Sequence, residues 1–379
     1  MNIKIPNNNI INFTIFIISI IIVIFSYQNY SGRNRINSKL LDYSIFSNKY
    51  DFVKFNKIGS SVNNNDINLI EISDSKNNNL PAVRIVGNIH GNETTGYRLL
   101  FKFINDLCIN YQEYLNGERS ENHKRIAKII QNLKICIIPT MNPDRIFRKR
   151  NNANRKDLNR NFNLDPDYSY QPETLAIINN TDQYNYVLDM ECHDGARLIT
   201  FPFDEEIRKV SQDHPSFIYL CQEYLKLNPI FQKNPKPKRF NLCYVMGSKW
   251  YSIKGSIRDY MYIKKNIPGL TIEFSARKQA RPEKIDQMYI EHKPSLIRFL
   301  EMGLECYTGI VKTKDGKIIN QVEINIRELE NKIVNINQDG YFYVFLKPGE
   351  YHITFNTSNY NSQTKIIKAP LLNDIVILN

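Results

Sequence analysis

The chain has 379 residues, 42% of them hydrophobic, and carries 50 Lys and Arg against 38 Asp and Glu, a formal net charge of +12 with a pI near 9.2. That size and apolar content suffice for one large domain and a small one, and exclude disorder as the default state. The positive charge alone suits nucleic acid, an anionic membrane surface or acidic substrates, but zinc-finger spacing, an RRM-like aromatic box and a Gly-rich phosphate loop are all missing, so no nucleic-acid partner is expected.

Residues 10–25 form an apolar run just behind Lys4, shorter than the roughly 20 residues of a comfortable membrane span. Residues 1–28 therefore read as a signal peptide or a signal anchor, the second giving membrane anchorage. Arg33, Arg35 and Lys39 behind the run outnumber Lys4 in front, the wrong way round for a lumenal domain anchored here. Cleavage is the better fit.

After a polar, basic connector to about residue 38, residues 55–59 and 67–72 alternate like antiparallel edge strands. The continuous apolar run Ala82–Val86 reads as a buried strand ending in a turn. A helix opens after Glu93, with Leu99, Leu100, Phe103, Ile104 and Leu107 at helical spacing. A second helical stretch near residues 126–130 leads into a buried strand at 133–138. Strand, helix and strand in this order predict an α/β fold: a doubly wound, mixed but mostly parallel sheet with helices on both faces.

Residues 139–162 show no regular pattern, and an irregular stretch of that length inside a compact domain is usually functional. Between positions 145 and 160 it holds seven basic residues and one acid, Asp157. Gln171-Pro172-Glu173-Thr174 starts a helix with Pro in its first turn. A strand at 186–190 then delivers His193 at its C-terminal end, where open α/β sheets build their sites. Residues 215–227 and 285–304 carry helical spacing. Between them a buried strand at 269–275 holds Glu273, a carboxylate that must be paired or functional there. From Cys306 onward, alternating runs at 322–326, 341–346 and 351–355 are separated by Asp315-Gly316, Asp339-Gly340 and Pro348-Gly349. They predict a small all-β sandwich over residues 305–379. The six cysteines include no C-x-x-C pair; up to three disulfides, in any of 15 pairings, and buried free thiols both fit.

His90 and Glu93 stand three residues apart in the turn after the 82–86 strand. Residues at that spacing share a face, about 5–6 Å apart at Cβ, and one imidazole with one carboxylate suits zinc. The pair alone fits a surface His beside a solvated Glu at least as readily.

Downstream residues decide between these. His90-Gly91-Asn92-Glu93, Asn142-Pro143-Asp144, Arg150 with Asp157-Leu158-Asn159-Arg160-Asn161-Phe162, Gln171-Pro172-Glu173-Thr174, His193, Trp250-Tyr251 and Thr271-Ile272-Glu273 fall in an order that resembles the zinc metallocarboxypeptidases. The chain is most similar to the regulatory branch typified by carboxypeptidases D, E, M and N, in which a transthyretin-like β-sandwich follows the catalytic domain. The resemblance runs from about residue 38 to the C-terminus, and implies a catalytic domain over 38–304 and a transthyretin-like domain over 305–379.

The resemblance implies one Zn2+ per chain, held by His90, Glu93 and His193, with Asp157 orienting the first histidine. It implies Glu273 as the general base that takes a proton from the attacking water and passes it to the leaving amine, and Arg150 as the stabiliser of the oxyanion. Arg160 with Asn159 would clamp the free carboxylate of a peptide or protein C-terminus, and Tyr251 would close over the substrate. His123, His214, His292 and His352 match no motif and read as surface or packing residues.

Three glycines of the family pattern are replaced, by Arg145, Arg155 and Asp194, which is expected to alter loops needing φ > 0. Asp204 matches a family carboxylate that selects basic C-terminal residues, but Arg258 stands where the branch has a neutral amide. With Arg258 in the pocket, acidic or non-basic residues are expected; with Arg258 in solvent, Asp204 would still select basic ones. The resulting reading is a carboxypeptidase of the secretory route. A catalytically silent peptide-binding or adhesion module, and an amidase acting on other N-acyl amino acids, are the alternatives.

Overall fold

The computed structural model describes residues 40–378 except 166, 207–209, 234–237, 239, 241, 331 and 335. The apolar run at 10–25 lies outside the described residues, among which no helix is long and apolar enough to cross a membrane. Every element named here lies within Asp42–Asn379.

In chain order these are α1 (Ser44–Lys49), β1 (Val53–Ser60), β2 (Asp66–Ile72), β3 (Ala82–Val86), α2 (Thr95–Leu115), α3 (Glu121–Asn132), β4 (Lys134–Ile138), α4 (Pro172–Thr181), β5 (Tyr186–His193), β6 (Leu198–Phe201), α5 (His214–Lys226), β7 (Tyr244–Met246), α6 (Ile257–Lys265), β8 (Gly269–Glu273) and α7 (Ile285–Gly303). The strands form one sheet in the order β1-β2-β4-β3-β5-β8-β6-β7. Its centre, β4-β3-β5-β8, is parallel, and β1, β2 and β6 join antiparallel. The mixed, mostly parallel sheet expected from the sequence is borne out.

β3, β5 and β8 are buried along their whole length because both sheet faces are covered. Ala82 and Val86 pack with Ile177 of α4 and Tyr260 and Met261 of α6. On the opposite face Val83 meets Gly303 of α7, and Cys192 meets Gly96 of α2. Arg84, fully buried on the α4 face, is neutralised by Asp189 of the neighbouring strand and held by Thr181 at 2.6 Å.

Seven further strands follow: β9 (Cys306–Thr313), β10 (Glu323–Ile326), β11 (Lys332–Val334), β12 (Tyr341–Phe345), β13 (Gly349–Thr357), β14 (Tyr360–Ala369) and β15 (Leu371–Leu378). They make a four-stranded sheet, β11-β10-β13-β14, and a three-stranded one, β12-β9-β15. Ile324, Ile353 and Phe355 from the first share one core with Tyr307, Phe342 and Val376 from the second, which is the alternation of a sandwich. Tyr343 donates to the Asn79 carbonyl at 2.9 Å, and Lys332 pairs with Asp213 before α5. The six cysteines are free thiols, and all are buried.

Candidate metal centre and active site

The C-terminal ends of three adjacent parallel strands supply the site. His193 and Glu273 end β5 and β8 and lie opposite each other in register. His90 comes four residues after β3, in a turn opened by Asn88 at φ 50°, a left-handed conformation that Asn tolerates better than most residues. The Asn88 amide donates to the carbonyls of His90 (2.9 Å) and Glu93 (3.2 Å), fixing the turn from inside. Gly91 is pressed against the carbonyls of Arg145 and Lys149, where a Cβ would not fit.

His90 Nδ1 and His193 Nδ1 lie 3.0 and 2.9 Å from the same oxygen, Glu93 Oε2, and 3.1 Å from each other. All three residues are buried. His90 Nε2 faces Asp157 Oδ1 at 3.1 Å; a proton donated there leaves the Nδ1 lone pair pointing inward. Three electron-pair donors thus converge with little to hold them together but a cation. Four tetrahedral ligands at zinc distances of about 2.0–2.1 Å would be separated by about 3.3 Å, so the donor set and its spacing fit this ion.

Burial disfavours the Glu93 anion, yet His90 and His193 hold it well below the usual carboxylate range. Burial lowers His193 to about 4, keeping its ring neutral. Asp157 is depressed despite its own burial by the hydrogen bond from His90 and the charges of His90 and Arg150. Glu273 is pushed up to about 7, by burial first and then by the nearby Glu93 carboxylate. Its Oε2 is buried without a partner among the described residues.

These groups open into a cavity of about 200 Å³ that Arg150, Asn159, Asp204, Tyr251 and Arg258 also line. Arg150 bridges Glu93 Oε1 (3.1 Å) and Asp157 Oδ2 (2.9 Å). Tyr251 is half exposed, edge-on to Trp250. Asn159 uses its Oδ1 to accept from the first amide of α6 at 3.1 Å. Arg160 stands beside the cavity wall, donating to the Asn159 carbonyl at 2.8 Å.

Lys278 was not singled out in the sequence. Its ammonium reaches Glu93 Oε1 at 2.6 Å and the Asp194 carbonyl at 2.9 Å. The only signal for it is a cation five residues beyond Glu273, and nothing in the residue type separates it from the other loop lysines.

Arg258 is 3% exposed, so the solvent-facing alternative does not hold. Its guanidinium pairs with Asp204 and donates to Thr200 Oγ1 at 2.6 Å. Asp259 accepts from the amides of Asp204 (3.0 Å) and Glu205 (3.2 Å), fixing the turn that carries Asp204. Gly247 packs directly on this pair: a Cβ there would overlap Asp204 Oδ1.

Of the three glycine replacements, only Arg155 sits at positive φ, 61°. Arg145 lies in a single 3-10 turn (Pro143–Arg145) and needs no such conformation. Asp194, also outside the left-handed region, accepts from the Thr95 amide at the start of α2 at 2.9 Å. Arg155 thus keeps the left-handed backbone that a glycine adopts freely, and neither of the other two positions uses it.

A family model described as Zinc carboxypeptidase matches residues 44–298. The chain is 29% identical to human carboxypeptidase D over 352 residues, 84% of this chain and 25% of that protein. It is 27% identical to mouse carboxypeptidase M over 358 residues, 86% of this chain and 78% of that one. It therefore spans about a quarter of the length of the carboxypeptidase D relatives. Among solved structures, thrombin activatable fibrinolysis inhibitor superposes with a TM-score of 0.57 at 18% identity, covering 68% of this chain and 71% of that one.

Proposed function

Because the chain belongs to the zinc carboxypeptidase family, we propose that it is an active zinc-dependent exopeptidase releasing the C-terminal residue of peptides or proteins. The observation that carries the reading is the convergence of His90 Nδ1, His193 Nδ1 and Glu93 Oε2 within about 3 Å of one another, beside the unpartnered oxygen of Glu273. Zinc held by that trio would polarise the scissile carbonyl and lower the pKa of a water at the metal to about 7. Glu273, poised near neutrality, takes the proton of the attacking water and delivers it to the leaving nitrogen. Arg150, already aimed into the cavity, supplies positive charge to the oxyanion. Asn159 and Arg160 bind the terminal carboxylate, and Tyr251, half exposed at the mouth, closes over the bound residue. Asp157 keeps the His90 ring in one tautomer.

In this reading residues 38–304 are the catalytic domain and 305–379 a transthyretin-like domain without catalytic residues. Residues 1–28 direct the chain into the secretory route. The Arg258–Asp204 pair supports a preference for acidic or other non-basic C-terminal residues, because a Lys or Arg side chain would meet a guanidinium and a carboxylate already neutralised.

Purified protein is assayed on matched peptides ending in Glu, Leu and Arg, with and without a zinc chelator. Turnover that the chelator abolishes supports the peptidase. Zinc bound without turnover favours a silent binding module, and kcat/KM highest for Arg removes the specificity assignment alone.

A further inference from the structure

Three separate loops frame the mouth of the cavity, and seven exposed cations stand on them. Arg148 and Lys149 precede Arg150; Arg155 and Lys156 precede Asp157; Lys249 precedes Trp250; Lys254 follows Ile253; Arg277 precedes Lys278. Each is therefore within two residues, about 4–8 Å along the chain, of a cavity-lining side chain or of Asp157, which binds one. The loops are tied to one another. Gln279 donates to the Phe147 carbonyl at 3.5 Å, and the Phe162 amide to the Gly255 carbonyl at 3.0 Å. Among the described residues none of the seven has an ion-pair partner, whereas Arg150 and Lys278, just inside, both pair with Glu93. Next to the loop of Lys249 and Lys254, Glu206 is exposed and its amide donates to Ser252 Oγ at 2.8 Å, with Glu205 half buried beside it.

Unpaired cations on the loops beside a concave site raise the local concentration of anionic ligands and speed their capture. A peptide with its C-terminal residue in the cavity leaves through the mouth at about 3.3 Å per residue. Its second to fourth residues upstream of the cleaved bond then cross the rim. We infer that the collar selects substrates by acidic residues upstream of the scissile bond, independently of the C-terminal side chain. The inference rests on the carboxypeptidase reading for the direction in which the peptide lies. The cations are spread over three loops next to one pocket rather than along a single element, which favours a polypeptide end over a nucleic acid.

The test uses two fluorescent peptides with the same last three residues and either Glu or Lys at the preceding positions. Each is titrated by anisotropy into zinc-loaded Glu273→Gln protein. At about 50 mM salt the Glu peptide is expected to bind at least about tenfold more tightly, and at about 500 mM the gap should largely close. The Arg148→Gln/Lys149→Gln/Lys156→Gln/Arg277→Gln variant should lose most of the gap while retaining wild-type turnover of a short uncharged peptide. Equal affinities, or a gap that salt leaves intact, overturn the inference. So does tighter binding of an oligonucleotide of equal charge, which would place nucleic acid on the collar. Failure of the peptidase reading looks different: wild-type protein cleaves neither peptide while the binding gap persists.

Discussion

Lys332 of β11 and Asp213, the residue before α5, form an ion pair with 5% and 1% of their side chains exposed, joining the C-terminal sheets to the helical layer of the main sheet. Tyr262 of α6, the helix that bears Arg258, donates to the same carboxylate at 2.9 Å. Breaking one side of a buried pair strands the other charge. Lys332→Met is expected to cost about 3–5 kcal/mol in urea unfolding, and adding Asp213→Asn should recover most of it. A single-variant cost below about 1 kcal/mol would show that the pair does not hold the join.

Glu273→Gln should keep zinc and fold while turnover falls by about 10²–10⁴-fold, since an amide cannot take the proton. His193→Ala should instead lose the metal, read by elemental analysis of dialysed protein. Wild-type rate in the first variant, or full zinc in the second, would reassign those residues.

Gly247→Ala places a methyl group on the Asp204–Arg258 pair. Parting the two costs about 1–3 kcal/mol as overpacking and should lower kcat/KM on the best substrate by about tenfold with zinc content unchanged. If neither stability nor kcat/KM moves, the pair is not fixed by that contact.

Arg155 holds φ at 61°, which costs a non-glycine residue about 1–2 kcal/mol. Arg155→Gly relieves this but enlarges the unfolded ensemble, so a net gain of about 0.5–1 kcal/mol is expected, with hydrolysis of an uncharged peptide unaltered. A loss of stability would mean that the Arg155 side chain contributes more than its backbone costs.

His292 is buried, accepts from Tyr224 (2.9 Å) and Asn228 (3.2 Å), and is lowered to about 3 by burial and then by Arg197. Its folded pKa lies below the unfolded value near 6.5. Its contribution is therefore intact above pH 6.5 and is lost as pH falls toward 3, by about 1.4 kcal/mol per unit. In chelator-treated protein, so that metal loss does not intrude, His292→Gln should flatten the stability profile between pH 6 and pH 4. Parallel profiles would assign the acid sensitivity elsewhere.

The central strands could be read from the sequence because burial on both faces makes β3, β4, β5 and β8 nearly continuous apolar runs. β6 and β7, four and three residues long, are too short to show a period. α6 buries Arg258 and Asp259 where an apolar stripe is expected, so the hydrophobic pattern hides it. His90 and Glu93 were legible because they are neighbours in sequence. Lys278 reaches Glu93 across 185 positions, and such a contact leaves no trace in local spacing. The pairing of Arg258 with Asp204 is likewise made only by the fold.

The six buried thiols have a practical consequence. Cys108, Cys136, Cys192, Cys221, Cys243 and Cys306 are distributed over α2, β4, β5, α5, the entry to β7 and the start of β9, and burial pushes every one of them up, away from the reactive thiolate. A thiol reagent in solution therefore modifies each only when the surrounding element opens. Mass spectrometry after timed alkylation would rank the opening frequency of six regions in the unmutated protein. Zinc added to the same experiment should slow Cys192 most, since it adjoins His193, giving a record of ligand binding written in cysteine chemistry.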